Sequence, residues 1–228
     1  MTEAHTPITA QELHRWAESL AGIARTGLGF SQVPFERERY EEILSVAADM
    51  RSRVSDEPAV VFEAEWMRTV GSGISGYVTP KVAVGAVVGD GDGRLLLIQR
   101  ADSGVWLYPT GWADIGYSPA EVAVKEVWEE TGIRCEVVQP IAIHDGLRLG
   151  FSRIPLYSIV FHCRAVGGTL SPHPEECLDA GWFGRDELPD PIVSFDRWGD
   201  HAFRAIEGLP VIADFDHPRD PVWRGSQD

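Results

Sequence analysis

Leu13, Trp16, Leu20 and Ile23 recur at helical spacing behind Thr9-Ala10-Gln11-Glu12, a sequence that fits a capping box. Gly27 and Gly29 mark the expected end of that helix. Pro34 opens a second one, whose apolar stripe is Tyr40, Ile43, Leu44 and Ala47. A shorter third helix is expected around Val60 to Met67. Three short amphipathic helices leave too much surface in water to be stable alone. They are expected to pack on the rest of the chain or on a second copy of it.

GSGISG, residues 71–76, reads as a linker, and the periodicity changes after it. Lys81 to Val88 and Arg94 to Arg100 read as two strands of a hairpin joined by a GDGDG turn. Its Asp90 and Asp92 resemble the start of a calcium loop but lack the terminal Glu. Further strands are expected near Glu136 to Ile143, Pro155 to Ala165 and Cys177 to Phe183, with a short one at Thr169 to Leu170 after Gly167-Gly168. Ser194 to Glu207 reads as a terminal helix, and the last stretch as loosely structured. The pattern implies an α+β protein in three parts: a helical N-terminal domain over residues 1–72, a mixed-sheet domain over 77–190, and a C-terminal helix and tail over 191–228.

One helix in this pattern carries an unusual load. Ser118, Pro119 and Glu121 delimit its start as a capping box with proline at the first helical position, and Gly132 marks its stop. Ala123, Val124 and Val127 lie on the side expected to face a sheet. Glu126, Glu129 and Glu130 crowd the last turns on another side, where the helix dipole and mutual repulsion both disfavour them. Lys125 lies four residues from both Glu121 and Glu129 and can pair with a neighbouring carboxylate. A solvated acidic face is the plain alternative. Clustering at the unfavourable end, behind a glycine-containing loop flanked by Trp106, Tyr108 and Trp112, points instead to carboxylates gathered to hold a hard divalent cation.

Composition narrows the chemistry. Thirty-five acids against twenty bases give the 228-residue chain a net charge of −15, which repels a phosphate backbone and disfavours nucleic acid as a partner. A phosphorylated small molecule would need cations brought to its site. The three cysteines, Cys135, Cys163 and Cys177, form no C-x-x-C pair, which suits a reducing cytosol. Neither a secretory signal nor an apolar run of membrane-spanning length is visible, so a cytoplasmic protein is expected.

Gly111, Glu126, Val127, Glu129, Glu130, Gly132 and Ile133 match the spacing G-x5-E-x7-R-E-U-x-E-E-x-G-U, where U is aliphatic. On these residues the chain resembles the Nudix hydrolases. The N-terminal helices, "GYVTPKV", "GWAD" and "GWFGRDELP" look like one subgroup, with a helical extension, that acts on nucleoside diphosphates linked to another moiety, including CDP-choline and ADP-ribose pyrophosphatases. The likeness covers about residues 9 to 190.

The resemblance implies a sheet–helix sandwich, with Glu126, Glu129 and Glu130 as ligands of magnesium, or of manganese in its place. It also implies a metal contact from the Thr110 carbonyl and water activation by Glu126. Glu176, with Glu175 as the fallback, falls where many members place a further acid on a separate loop. Three positions depart from the pattern: Tyr117 replaces the usual Glu, Lys125 the Arg, and Thr110 a Gly at a place where φ > 0 is often needed. Arg100, ending a strand beside the expected cleft, is the candidate phosphate clamp, with pairing to a surface acid as its alternative. Trp106, Trp112 and Phe151 are candidates to stack on a ring, and His144 and His173 are noted for their acidic neighbours. The resulting expectation is metal-dependent hydrolysis of a small nucleotide conjugate by a homodimer. A Nudix domain that binds nucleotide as a regulatory module, its chemistry lost, is the alternative.

Overall fold

The computed structural model describes residues 7–70, 78–114 and 117–219. Its elements run α1 (Ala10–Phe30), α2 (Pro34–Ser52), α3 (Ala59–Arg68), β1 (Lys81–Gly89), β2 (Leu95–Arg100), β3 (Trp106–Leu107) and β4 (Thr110–Trp112). They continue with α4 (Pro119–Thr131), β5 (Ile133–Asp145), α5 (Gly146–Leu149), β6 (Leu156–Gly168), β7 (Cys177–Phe183), α6 (Phe195–Ile206) and β8 (Asp214–Phe215). The chain divides into two compact units: Met1–Pro80 with Gly146–Pro155, and Lys81–Asp145 with Leu156–Asp228. The GSGISG segment lies outside the described residues.

In the first unit, Thr9 and Glu12 form the expected capping box of α1. Gly27 and Gly29 do not end this helix. α1 runs on to Phe30, and a Cβ at Gly27 would lie 2.3 Å from the Tyr40 ring of α2. That glycine serves close helix packing, which outweighs its poor helix propensity of about 1 kcal/mol. Ala21, Ala24 and Leu28 meet Leu44, Ala47, Ala48, Phe62 and Trp66 in a dry core. Residues 146–155 leave the strand register between β5 and β6 to join this unit. The Gln11 side chain donates to the Arg148 carbonyl, Arg51 Nη2 donates to the Arg153 carbonyl at 3.3 Å, and His14 Nε2 stands 3.1 Å from that same oxygen.

The second unit is built on a mixed sheet of order β3-β2-β1-β6-β5-β8, with β4 on β1 and β7 on β2. The expected β1–β2 hairpin pairs only at Gly89↔Leu95. Asp90 Oδ1 closes the turn by accepting from the Asp92 and Arg94 amides, each at 2.9 Å, so these aspartates serve the turn. Beyond it β2 leaves β1 and pairs along its length with β7, which frees the edge of β1 for β4. On its other edge β1 runs parallel to β6 from Lys81↔Leu156 to Gly89↔Arg164.

Both faces of the sheet are covered. Val84, Ala86, Val88 and Leu96 pack with Val122, Ala123 and Val127 of α4. Val87, Leu95 and Leu97 pack with Trp198, Ala202 and Phe203 of α6. This explains why β1 reads as a continuous apolar run rather than an alternation. One expectation fails at an edge. Thr169 and Leu170 form no strand, because the chain turns away and the Ser171 amide donates to the Thr131 carbonyl at 2.8 Å. Within the stretch read as loosely structured, residues 209–219 carry one regular element, the two-residue β8 parallel to β5, where His144 Nε2 lies 2.9 Å from Asp214 Oδ2; residues 220–228 lie outside the described residues.

Candidate active site

α4 forms as its sequence dictates. The Ser118 hydroxyl accepts from the Glu121 amide at 3.3 Å, and Glu121 Oε2 accepts from the Ser118 amide at 2.6 Å. Gly132 ends the helix in the left-handed conformation, φ 72°, and its amide donates to the Trp128 carbonyl. Val122, Ala123 and Val127 turn into the sheet, with Val124 only partly buried.

The same rotation carries Glu126 and Glu130 inward, to 9% and 4% exposure. A solvated acidic face does not describe them. Burial pushes the Glu126 carboxyl above its ordinary value; Lys125 opposes this, and Glu129 and Glu176 reinforce it. Burial raises Glu130 further, to about 8, against the Thr110 amide that donates to its Oε2 at 2.8 Å. The charges of Glu126 and Glu176 add to that rise.

Gly111 lies directly against Glu126. A Cβ there would sit 2.2 Å from the Glu126 carboxyl carbon, so the glycine makes room for the acid. Thr110 lies in strand β4, and Ser194 is the only non-glycine residue with positive φ among the described residues. Threonine is therefore compatible with the backbone at that box position. Its hydroxyl donates to the Val84 carbonyl at 3.0 Å, tying β4 to β1.

Glu129 stands apart from the two buried acids. Lys125 Nζ holds it at 2.6 Å while also reaching Asp114 at 3.2 Å and Glu126 at 3.9 Å. Asp114, within the "GWAD" stretch, was assigned no role from sequence; nothing local shows that the loop folds back onto Lys125. Glu176 precedes β7, where its carbonyl accepts from the Ala101 amide at 2.9 Å, and its charge reaches both Glu126 and Glu130. The loop that carries it closes the end of α4: the His173 amide donates to the Glu130 carbonyl at 3.1 Å. Glu176 and the neighbouring Glu175 are both exposed.

Arg100 is near enough to feel Glu130, but its guanidinium is engaged by Asp102, with Nε–Oδ1 at 3.0 Å and Nη2–Oδ2 at 2.7 Å. Tyr117 is exposed just ahead of the α4 cap. Of the three ring-stacking candidates, Trp106 is core, edge-on to Phe183 at 5.1 Å. Phe151 belongs to the helical unit, and Trp112 is half exposed.

Among the described residues, no three His, Cys, Asp or Glu side chains converge closely enough to hold a metal ion as they stand. Glu129 is instead paired with Lys125 at 2.6 Å. The donors nonetheless suit a hard cation: they are all oxygens, and two are buried acids in mutual repulsion. Magnesium commonly takes one or two carboxylates and completes its shell with water and substrate phosphate.

Residues 79–202, more than half of the chain, match the family described as "NUDIX domain". The chain belongs to the Nudix hydrolase family. Residues 11–64 of this Nudix hydrolase match a second family, described as "UDP-X-like, N-terminal oligomerisation domain". It is 34% identical over 176 residues to a Bacillus subtilis protein named "Putative ADP-ribose pyrophosphatase YjhB", covering 76% of this chain and 81% of that one. A Xenopus laevis protein named "Nucleoside diphosphate-linked moiety X motif 6" is 33% identical over 131 residues, which cover 54% of this Nudix hydrolase and 58% of the relative. A crystal structure of a UDP-X diphosphatase superposes with a TM-score of 0.54 at 26% identity, covering 92% of this chain and 100% of the other. Nudix hydrolases generally use divalent metals, and the α+β sandwich with helical extension expected from the box is the fold of this one.

Proposed function

We propose that this Nudix hydrolase cleaves the diphosphate of a nucleoside diphosphate joined to a second moiety, of the CDP-alcohol or ADP-ribose type. The products are a nucleoside monophosphate and a phosphorylated remainder. The observation that carries this reading is the burial of Glu126 and Glu130 beside Gly111, with Glu176 close enough to raise both. The names of the relatives and the UDP-X-like N-terminal match support the linked-diphosphate class over triphosphates.

Glu126 and Glu130, with Glu129 once released from Lys125 and the Thr110 carbonyl beside them, would hold magnesium, or manganese in its place. Such an ion, when bound, supplies charge neutralisation on the diphosphate and lowers the pKa of water. Water forms the new O–P bond as the bridging P–O bond breaks, and the departing phosphate oxygen becomes a phosphomonoester. Glu126 takes the proton of the water, with Glu176 as the second candidate base; a raised carboxyl is the better acceptor near neutral pH. Lys125 fixes the positions of Glu129 and Asp114, and Arg100 clamps a phosphate by exchanging Asp102 for it.

The N-terminal helices form a homodimer, which the match to an oligomerisation domain supports. Three free, buried cysteines favour a cytoplasmic location. Nucleotide conjugates and triphosphates assayed with magnesium, by detecting new phosphomonoesters, test the reading. CDP-choline or ADP-ribose should exceed every triphosphate in kcat/KM, and chelation should abolish turnover. Faster pyrophosphate release from a triphosphate would overturn the substrate class, and full activity without metal would overturn the mechanism.

A further inference from the structure

We propose that Trp112, backed by Lys81, is the platform on which the nucleobase of the substrate stacks. The proposal rests on the linked-nucleotide reading above and names the residue that recognises the base. Trp66, Trp106 and Trp198 are buried, as large aromatics usually are. Trp112 of β4 and Trp128 of α4 keep 51% and 59% of their surface in water, and of the two only Trp112 stands directly beside Gly111 on a firmly held strand. It pairs with Ala83 of β1, the next amide, that of Ala113, donates to the Val82 carbonyl at 2.9 Å, and Asp114 anchors the loop to Lys125 at 3.2 Å.

A rigid, half-exposed indole next to the glycine that accommodates Glu126 is poorly explained by packing. Lys81 Nζ lies over the ring, 5.0 Å from its centre, and half of the indole surface remains open to a partner. The placement also selects what that partner is. Side chains alternate along a strand, so with Gly111 toward Glu126 the indole stands on the opposite side of β4, about 3.3 Å further along it. Such a rim position is wrong for the scissile phosphate. It is right for a base, which ribose and phosphate hold away from the bond that breaks. Stacking of this kind accepts any base, since each has a π-face.

The test is calorimetric titration of the full-length protein, with magnesium, by AMP, by CMP and by ribose 5-phosphate, which has the phosphate but no base. Wild type should bind the nucleotides more tightly than the sugar phosphate. Trp112→Ala should weaken nucleotide binding at least ~10-fold, about 1.4 kcal/mol, and leave ribose 5-phosphate within ~2-fold. Trp112→Leu, which keeps apolar bulk, should fall with Ala, and Trp112→Phe should restore most of the affinity. In hydrolysis, Trp112→Ala should raise KM while kcat stays within ~3-fold. Equal effects on all three ligands, no effect on any, a phenylalanine variant as weak as alanine, or wild type that binds no nucleotide would each overturn the platform. A protein that shows the binding pattern but hydrolyses nothing would overturn the proposed function and leave the platform standing.

Discussion

Gly111 and Glu126 make a test at one atom of added bulk. A methyl group at position 111 would collide with the Glu126 carboxyl, the free end of a side chain that can swing away. Gly111→Ala should therefore fold, with stability changed by no more than ~1 kcal/mol, about 2–4 °C in midpoint for a chain of this size. Turnover should nonetheless fall at least ~10²-fold, because the acid is displaced. Unchanged turnover would show that the contact has no part in catalysis. Helical spacing grouped Glu126, Glu129 and Glu130, because a helix turn fixes which residues neighbour one another, and the resemblance to the Nudix box added Gly111. Neither revealed that Glu126 and Glu130 go inward while Glu129 goes to Lys125, since that depends on β4 and Asp114, which are distant in sequence or locally featureless. Arg100 was open to two readings from sequence, and its partner here is Asp102.

α1 carries a buried ion pair that makes its own stability depend on pH. Glu18 is 7% exposed, 3.7 Å from Arg51, and burial raises its carboxyl from 4.5 to about 7 despite Arg25 and Arg51. A folded pKa above the unfolded one favours folding fully below about 4.5 and loses that contribution as pH rises through about 7. Between about pH 5 and about pH 8, wild type should lose on the order of 2–3 kcal/mol relative to Glu18→Gln, on top of a constant offset from unpairing Arg51. His14 stands 3.8 Å from Glu18, but burial lowers it to about 4, so in the folded state it stays largely neutral across this window. Denaturant unfolding at the two pH values measures the loss, and a flat difference would contradict the account.

Long elements were readable from periodicity, α1, α2, α4, β5, β6, β7 and α6 among them. β3, β4 and β8, of two or three residues each, exist only through their partners and leave no periodic trace. The glycines of α1 misled for the same reason: the use of Gly27 is set by Tyr40 on another helix.

At the level of the assembly, the helical unit leaves Ile8, Ile23, Phe35 and Val60 each more than half exposed. The N-terminal match is to an oligomerisation domain, which a second copy of this unit would complete. The full chain should have twice the monomer mass in light scattering at micromolar concentration, and removal of residues 1–72 should abolish dimerisation. A mass near 25.2 kDa for the intact protein would contradict this. Sequence raised the expectation that these helices need a partner, but nothing in it showed that residues 146–155 would leave the sheet to join them.

All of this converges on two buried carboxylates in a Nudix hydrolase, and their charge is directly testable. Glu→Gln keeps the shape of the side chain and removes the charge, so it separates catalysis from packing. The decisive measurement is turnover of ADP-ribose or CDP-choline, with magnesium, by Glu126→Gln and Glu130→Gln beside wild type. Each variant should be slower by at least ~10²-fold while remaining folded. Wild-type rates in both would contradict the assignment of the site.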